Sequence, residues 1–400
     1  MHRRTILATL AASPLLAARQ AKADTPGVTA TTLKIGNTAA YSGPASAYGV
    51  IAKTEAAYFK MVNDGGGVGG RMIEYDSLDD GYSPPKTVDQ VRRLVEEDQV
   101  AFIFATIGTP TNTAISRYTN GKGVPLIFLG SGANKWGDPK NAPWVMGWQP
   151  SYRTEAQIYT RYLMKTKPGA KLGILYQNDD FGKDYPAGVK DVLGADFDKL
   201  VKTASYEVTD ATVDSQILSL KEWGAEALLT AATPKFAAQS IKRVGDLGWK
   251  PLHFVTNVSI GVGSVMVPAG PENATGVISA AYLKDPTDAA WANDPGMNEW
   301  RAFMAKYMPG ADLTDNGPVF GFGVTYTLHQ VLKQCGTDFS RANIMKQAAS
   351  LNKLAVPVLL PGITVNTSAT NFHPIRQMKL QRFNGKSWEL FGEVLGGADD

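Results

Sequence analysis

The chain has 400 residues, 44% of them hydrophobic and 19% charged, and its formal net charge is +3. A chain of this length can bury a large core and exceeds the size at which a single core usually stops growing, so we expect two domains. The nearly balanced charge argues against a nucleic-acid partner, which requires a basic surface. Cys335 is the only cysteine, so an intrachain disulfide is excluded.

The first 23 residues have the pattern of a secretory signal peptide. Arg3 and Arg4 form a basic start, residues 5–18 are mostly apolar, and an A-x-A cleavage pattern ends at Ala23. The apolar run is shorter than the roughly 20 residues that span a bilayer. We therefore expect export to the periplasm by the Sec or the twin-arginine route. Removal of residues 1–23 leaves 36 Lys and Arg against 37 Asp and Glu, a net charge of −1.

Short apolar runs alternate with amphipathic runs in the first part of the remaining chain. The pattern predicts strands at residues 33–37, 71–76, 101–105 and 125–129, and helices at 48–63, 83–97 and 111–120. This alternation is typical of βαβ units around a parallel sheet.

The same alternation begins again near residue 152. It predicts helices at 152–165, 185–193, 214–223 and 235–247, and strands at 172–176, 201–207, 227–231 and 252–255. Two more helices are predicted at 298–307 and about 322–334, followed by a hairpin, 378–383 and 387–391, around an Asn-Gly turn. We predict an α/β protein with two doubly wound lobes. Their ranges are 28–148 plus about 281–355, and 149–280 plus about 356–396.

Enzymatic motifs are missing from the sequence. The histidines are scattered, without the spacing of a zinc site, and neither a G-x-S-x-G elbow nor a phosphate loop of the Walker type occurs. The GGGVGG run at 65–70 matches G-x-G-x-x-G, but it precedes a predicted strand, whereas a dinucleotide-binding loop follows one. We therefore predict a protein that is not an enzyme and has no catalytic residue, metal or cofactor. A periplasmic hydrolase with Ser131 as nucleophile is kept as a distant alternative.

Several segments resemble the branched-chain amino-acid-binding, type I periplasmic binding proteins. They are LKIGNTAAYSGPASAYG (33–49), NDGGGVGGRMIEYDSLDDGYSPPKTVDQVRRLV (63–95), GTPTNTAISRY (108–118), LIFLGSGA (126–133), GILYQNDDFGKDY (173–185) and residues 214–248. The resemblance covers nearly the whole mature chain. It implies two α/β lobes joined by three crossover strands, which close around a small molecule. It also implies delivery to the ABC permease subunits of the inner membrane, and we expect a monomer.

The loops that follow the predicted strands are the expected ligand site. In open parallel sheets, ligands bind beyond the carboxyl ends of the strands. Thr109 is predicted to be the N-cap of a helix whose positive end attracts anions, and the resemblance implies that this loop and the loop at 130–132 bind a carboxylate. The predicted ligand-binding residues are Tyr48, Gly108, Thr109, Gly130, Ser131, Gly132, Trp148, Tyr152, Phe181, Ala232 and Asn257.

The resemblance also bears on the identity of the ligand. Family members that bind amino acids have an acidic residue after the strand corresponding to 252–255, whereas this chain has TNVS at 256–259. A desolvated ammonium without a counter-charge is costly. Aromatic residues that could line the cleft are Tyr41, Tyr48, Trp148, Tyr152 and Phe181, although Trp148 and Tyr152 could equally pack in the hinge. The likeness favours the branch that binds aromatic carboxylates of the benzoate or cinnamate type. An aliphatic branched-chain amino acid, an amide and a urea-like solute remain alternatives.

Overall fold

The computed structural model describes residues 25–396, so the predicted signal peptide lies outside the described residues. The strands are β1 (Thr32–Ala39), β2 (Met72–Asp79), β3 (Phe102–Phe104), β4 (Leu126–Leu129), β5 (Val145–Gly147), β6 (Leu172–Gln177), β7 (Val201–Tyr206), β8 (Ala227–Ala231), β9 (Leu252–Val255), β10 (Ile278–Ala281), β11 (Gln377–Phe383) and β12 (Trp388–Gly396). They form two separate sheets.

The first sheet has the order β2-β1-β3-β4-β5, and all its strands are parallel. Its central strands β3 and β4 are buried along their whole length. Their sequences, FIF and LIFL, are uniformly apolar because a parallel sheet covered by helices is buried on both faces.

The second sheet has the order β12-β11-β10-β9-β8-β6-β7. Strands β6 to β10 are parallel to one another. The hairpin of β11 and β12 adds two antiparallel strands at the edge next to β10. The α/β fold predicted from the sequence is confirmed. The first sheet with its helices is called lobe 1 here, and the second sheet with its helices lobe 2. The residue boundaries of the lobes stay a prediction.

Helices cover the sheets. They are α1 (Gly49–Asp64), α2 (Pro84–Glu96), α3 (Thr109–Gly121), α4 (Tyr152–Thr166), α5 (Asp180–Leu193), α6 (Phe197–Leu200), α7 (Asp214–Glu222), α8 (Pro234–Asp246), α9 (Val267–Ala269), α10 (Pro271–Ala274), α11 (Pro295–Tyr307), α12 (Gly317–Gln334) and α13 (Arg341–Ala348). Within residues 25–396, none of these helices has both the length and the apolar character of a membrane span.

Helix α12 packs closely on α1, although the two helices are far apart in sequence. At Gly321 the approach leaves no room for a side chain, because an added Cβ atom would lie 2.9 Å from the backbone oxygen of Ile51. The late helices α11, α12 and α13 therefore complete the cover of lobe 1. The buried Cys335 follows the end of α12.

Some elements differ from the sequence prediction. Strands β5 and β10 and helix α13 were not predicted, and α5 and α12 each begin five residues earlier than expected. The early start of α5 has a physical cause, since the side chain of Asp179 accepts hydrogen bonds from the backbone N–H groups of Phe181 and Gly182. The cap fixes the start of the helix, although Gly182 and Pro186 have low helix propensity.

The chain passes between the lobes three times: after β5, after β10 and before β11. Trp148, in the first passage, is fully buried, and its ring meets Tyr282 and Phe320 edge-on with centroid distances of 6.0 and 5.2 Å. Its Nε1 donates a hydrogen bond to Oγ1 of Thr327 at 3.0 Å. Of the two roles considered for Trp148, the structure gives it hinge packing.

A buried polar network organises the start of α4 and the loop after β9. The Glu155 carboxylate is inaccessible to solvent and accepts four hydrogen bonds. Oε1 accepts from the Tyr159 hydroxyl at 2.6 Å and from the Asn257 backbone N–H at 2.7 Å. Oε2 accepts from the Tyr185 hydroxyl at 2.8 Å and from the Asn257 side-chain amide. Burial raises the pKa of Glu155 to about 7, while these donors favour its charged form.

We predict that Glu155→Gln destabilises the protein. A glutamine amide turns one acceptor oxygen into a donor. The hydroxyls of Tyr159 and Tyr185 also contact Val255 and Thr256, but an Asn257 N–H group would be left without an acceptor. Such a group costs about 1–3 kcal/mol. Urea unfolding of the mature protein measures the change, with Glu222→Gln on the exposed surface of α7 as the matched control. Equal unfolding midpoints for the two variants would show that the network contributes little.

Candidate functional site

A cleft lies between the two lobes. With the solvent at its mouth it encloses about 960 Å³. Its walls come from loops that follow parallel strands of both sheets, including Tyr82 after β2, Ile107 after β3, Gly130 after β4 and Asn257 after β9. The carboxyl ends of the strands therefore form the cleft, as expected for open parallel sheets.

The start of α3 forms one wall of the cleft. Gly108 is the N-cap residue, with a φ of +103°, and no side chain caps the helix. An added Cβ atom at Gly108 would lie 2.5 Å from the ring of Tyr82, so only glycine suits this position. Thr109 is the first residue of the helix, and the prediction that it serves as N-cap was wrong. The uncapped N–H groups and the positive end of the helix dipole remain available to an anion.

The hydroxyl of Thr109 is oriented by Ser131. Oγ of Ser131 accepts hydrogen bonds from Nε1 of Trp136 at 2.8 Å and from the backbone N–H of Ala133 at 3.3 Å. A hydroxyl has two acceptor sites and one proton, so the proton of Ser131 is left to donate to Oγ1 of Thr109, 2.6 Å away. The proton of Thr109 is then free to point away from Ser131.

Tyr152 adds a second hydroxyl to the same wall. It lies within hydrogen-bonding reach of the Thr109 side chain and the Gly132 backbone. It also accepts a hydrogen bond from Nε2 of Gln149 at 3.2 Å. Burial raises the pKa of Tyr152, so the hydroxyl keeps its proton and acts as a donor. The two hydroxyls and the α3 terminus form what we call the anion wall.

Aromatic rings line the rest of the cleft. Tyr152 and Phe181 meet edge-on at 4.8 Å, and Tyr152 stacks on the buried Tyr185 at 5.6 Å. Tyr48 reaches across from lobe 1, and its hydroxyl donates to the backbone oxygen of Val258 in lobe 2 at 3.1 Å. Tyr82, Tyr282 and Phe320 also line the cleft. A flat apolar ligand would be in contact with rings from both lobes.

The structure brings most of the sequence-predicted site residues together. Those in the cleft wall are Tyr48, Gly108, Thr109, Gly130, Tyr152, Phe181 and Asn257. The remaining four, which are Ser131, Gly132, Trp148 and Ala232, lie behind the wall. Ser131 holds Thr109, and the backbone oxygen of Ala232 accepts a hydrogen bond from Ser259 at 2.6 Å. Gly132 contacts the start of α4, where an added Cβ atom would collide with Pro150. Tyr41 is bonded to Ser77 away from the cleft.

Two carboxylates in the cleft wall were missed by the sequence analysis. Asp285 follows β10, and Asp315 precedes α12. The segment at 256–259 lacks an acid, as the sequence shows, but these two carboxylates reach the cleft from other loops. Recognition of the apolar run at 277–281 as a strand would have found these residues in part. Ligands bind beyond the carboxyl ends of parallel strands, so residues 282–285 would then have been expected at the site.

The lobes are in contact on both sides of the cleft. The backbone N–H of Asn134 in lobe 1 donates to Asp184 of α5 at 2.7 Å, and Lys135 forms an ion pair with Asp180 at 2.6 Å. On the other side, the loop at 261–264 lies against residues 312–315. The structure therefore shows a closed arrangement of the two lobes.

The hydrolase alternative finds no support at Ser131. Its hydroxyl contacts Thr109, Trp136 and Ala133, none of which is a general base. His253 is buried elsewhere, against Thr230, and burial lowers its pKa to about 3. Among residues 25–396, no group of three or more His, Cys, Asp or Glu side chains is placed to hold a metal ion.

The chain is similar to known proteins in sequence and in structure. Residues 32–387 match the family described as periplasmic binding protein. The chain is 26% identical over 291 residues to Leu/Ile/Val-binding protein homolog 7 of Brucella suis, which covers 69% of this chain and 71% of that protein.

Solved structures share the fold. A branched-chain amino acid ABC transporter protein from Thermus thermophilus with bound valine has a TM-score of 0.81 at 16% identity, covering 93% of this chain and 98% of that chain. A fatty acid ABC transporter substrate-binding protein from Thermomonospora curvata has a TM-score of 0.79 at 21% identity. The match covers 93% of this chain and 94% of that chain.

The family match spans nearly all of the described residues, and both lobes of the structure contribute to it. The chain therefore belongs to the periplasmic binding protein family, as a type I member of the group that includes the Leu/Ile/Val-binding proteins, which bind solutes and are not enzymes.

Proposed function

We propose that the chain is the extracytoplasmic solute-binding component of an ABC importer and captures a small carboxylate, with an aromatic acid of the benzoate or cinnamate type as the favoured ligand. It acts in the periplasm as a monomer and delivers the ligand to permease subunits in the inner membrane. The ligand class is inferred from the anion wall, which lies in the same cleft as several aromatic rings.

The comparisons support the carboxylate part of this proposal. Valine and fatty acids, named for two structural neighbours, both carry a carboxylate and otherwise differ in shape. The aromatic part depends on Tyr48, Tyr152 and Phe181. Ring pairs contribute about 0.5–1.5 kcal/mol beyond the burial of area.

An aliphatic branched-chain amino acid is the second candidate. The observation in its favour is the presence of Asp285 and Asp315 in the cleft, since either carboxylate could meet an ammonium group. The names of the Brucella relatives point the same way. Amides and urea-like solutes lack the carboxylate that the anion wall would bind.

We predict stoichiometric binding of an aromatic acid without turnover. Isothermal titration of the purified mature protein with benzoate, 4-hydroxycinnamate, leucine, isoleucine and valine compares the candidates directly. An advantage of 1.4 kcal/mol for the aromatic acid corresponds to tenfold in Kd. Micromolar binding of leucine together with no heat from either aromatic acid would establish the second candidate. Consumption of the bound compound would contradict the solute-binding function itself.

We predict that Thr109→Ala weakens binding of the acid by about tenfold, because a hydrogen bond to a charged group contributes about 1.5–3 kcal/mol. Ser116→Ala is the matched control, since Ser116 lies two turns further along α3 and its hydroxyl donates only to a backbone oxygen of the same helix. The methyl ester of the same ligand should bind much more weakly than the acid. If ester and acid bind equally well, the α3 terminus does not bind a carboxylate.

We predict that the free protein is more open than the structure described here. The ion pair between Lys135 and Asp180 is largely exposed, and such pairs contribute at most about 1 kcal/mol. The contacts between the lobes therefore stabilise closure only weakly without a ligand. The radius of gyration from small-angle scattering should fall when saturating ligand is added. An unchanged radius would place binding outside the cleft.

A further inference from the structure

Asp285 has a buried carboxylate with one oxygen unused. Oδ1 accepts hydrogen bonds from the backbone N–H of Thr287 at 2.8 Å and from the Thr287 hydroxyl. Oδ2 has no hydrogen-bond partner among residues 25–396, although the side chain lines the cleft and the residue is only 6% exposed. Leaving a buried polar atom unpaired costs free energy, and the cost is larger for a charged group.

The neighbouring cation does not satisfy this oxygen. Lys284 also lines the cleft, but its Nζ donates to Oδ1 of Asp294 at 2.7 Å and to the backbone oxygen of Pro357 at 2.8 Å. Burial, reinforced by the charges of Asp288 and Asp315, raises the pKa of Asp285 to about 6. The surroundings within the chain thus disfavour the charge and supply no donor for Oδ2.

Asp315 differs from Asp285 because neither of its oxygens is buried without a partner, and Ser264 is among its hydrogen-bond partners. Its Oδ1 accepts a hydrogen bond from the backbone N–H of Gly317 at 2.9 Å at the start of α12.

We propose that Oδ2 of Asp285 accepts a hydrogen bond from a donor on the ligand other than its carboxylate, so that the preferred ligand is an aromatic acid with a hydroxyl or amino group on its ring. This inference depends on the proposed function, because it assigns a second polar group of the same ligand.

The test compares matched ligands by isothermal titration. Benzoate, 4-hydroxybenzoate, 4-aminobenzoate and 4-methoxybenzoate share a ring and a carboxylate, but only the hydroxyl and amino forms have a donor at the far end. The native protein should bind the hydroxyl or the amino form at least tenfold more tightly than benzoate and than the methoxy form. Cinnamate and its 4-hydroxy and 4-methoxy derivatives repeat the comparison with a ligand that is longer by a vinyl group.

Asp285→Asn assigns the effect to this side chain. The two donors of Thr287 hold the amide oxygen, which leaves the amide NH₂ directed at the ligand, so the advantage of the donor-bearing form over the methoxy form should fall at least tenfold. The variant should fold, because it removes an unpaired buried charge, and its melting temperature verifies this. Asp198→Asn, an exposed change in α6, is the control and should keep the native preference.

The possible outcomes separate this inference from the proposed function. If aromatic acids bind and Asp285→Asn leaves the preference unchanged, the inference is wrong and the proposed function stands. If only leucine binds, the aromatic ligand is wrong. A tenfold loss of leucine affinity in Asp285→Asn would then assign Asp285 to the ammonium, whereas an unchanged affinity would overturn its role as acceptor. If none of these compounds binds, both proposals are wrong.

Discussion

Exclusion of water from the cleft is the constraint on which the other features of the site depend. When the lobes close, each polar group in the wall must find a partner in the protein or in the ligand. Behind the wall the chain meets this demand itself, as Glu155 does with four donors and Ser131 with three partners. In the wall, the α3 terminus has no side-chain cap and one oxygen of Asp285 has no partner. These are the two groups to which the proposals above assign the polar groups of the ligand.

Closure of the cleft also requires a fixed connection between the lobes and contacts between them that can open. Trp148, packed against Tyr282 and Phe320 and bonded to Thr327, fixes one of the passages between the lobes. The direct bonds between lobes are few and partly exposed. A ligand that contacts both lobes changes the balance between open and closed states only by its difference in affinity for the two. Weak contacts between lobes thus leave the choice of state to the ligand.

Much of the fold could be predicted from the sequence, because strands such as FIF and LIFL are uniformly apolar and are separated by amphipathic runs. Thr109 and Gly130 could be predicted to lie in the cleft wall because they follow strands that are easy to recognise. Asp285 was missed because β10 has only four residues and ends a stretch without a clear period. The role of Ser131 could not be predicted, since it depends on Trp136, which the fold brings to its hydroxyl. The partners of buried polar atoms are set by packing, which local sequence does not specify.

The close packing of α12 on α1 has a consequence for how the chain is made. The strands of the first sheet and helix α1 are complete by residue 147, but the helix that covers α1 begins only at Gly317. During synthesis the face of α1 that packs on α12 stays exposed while the ribosome adds about 170 further residues. These residues include the strands of the second sheet up to β10. A ribosome adding about 5–20 residues each second needs roughly ten seconds or more for that interval. Lobe 1 therefore cannot reach its final packing until most of the polypeptide exists, which lengthens the period in which the nascent chain exposes an apolar surface.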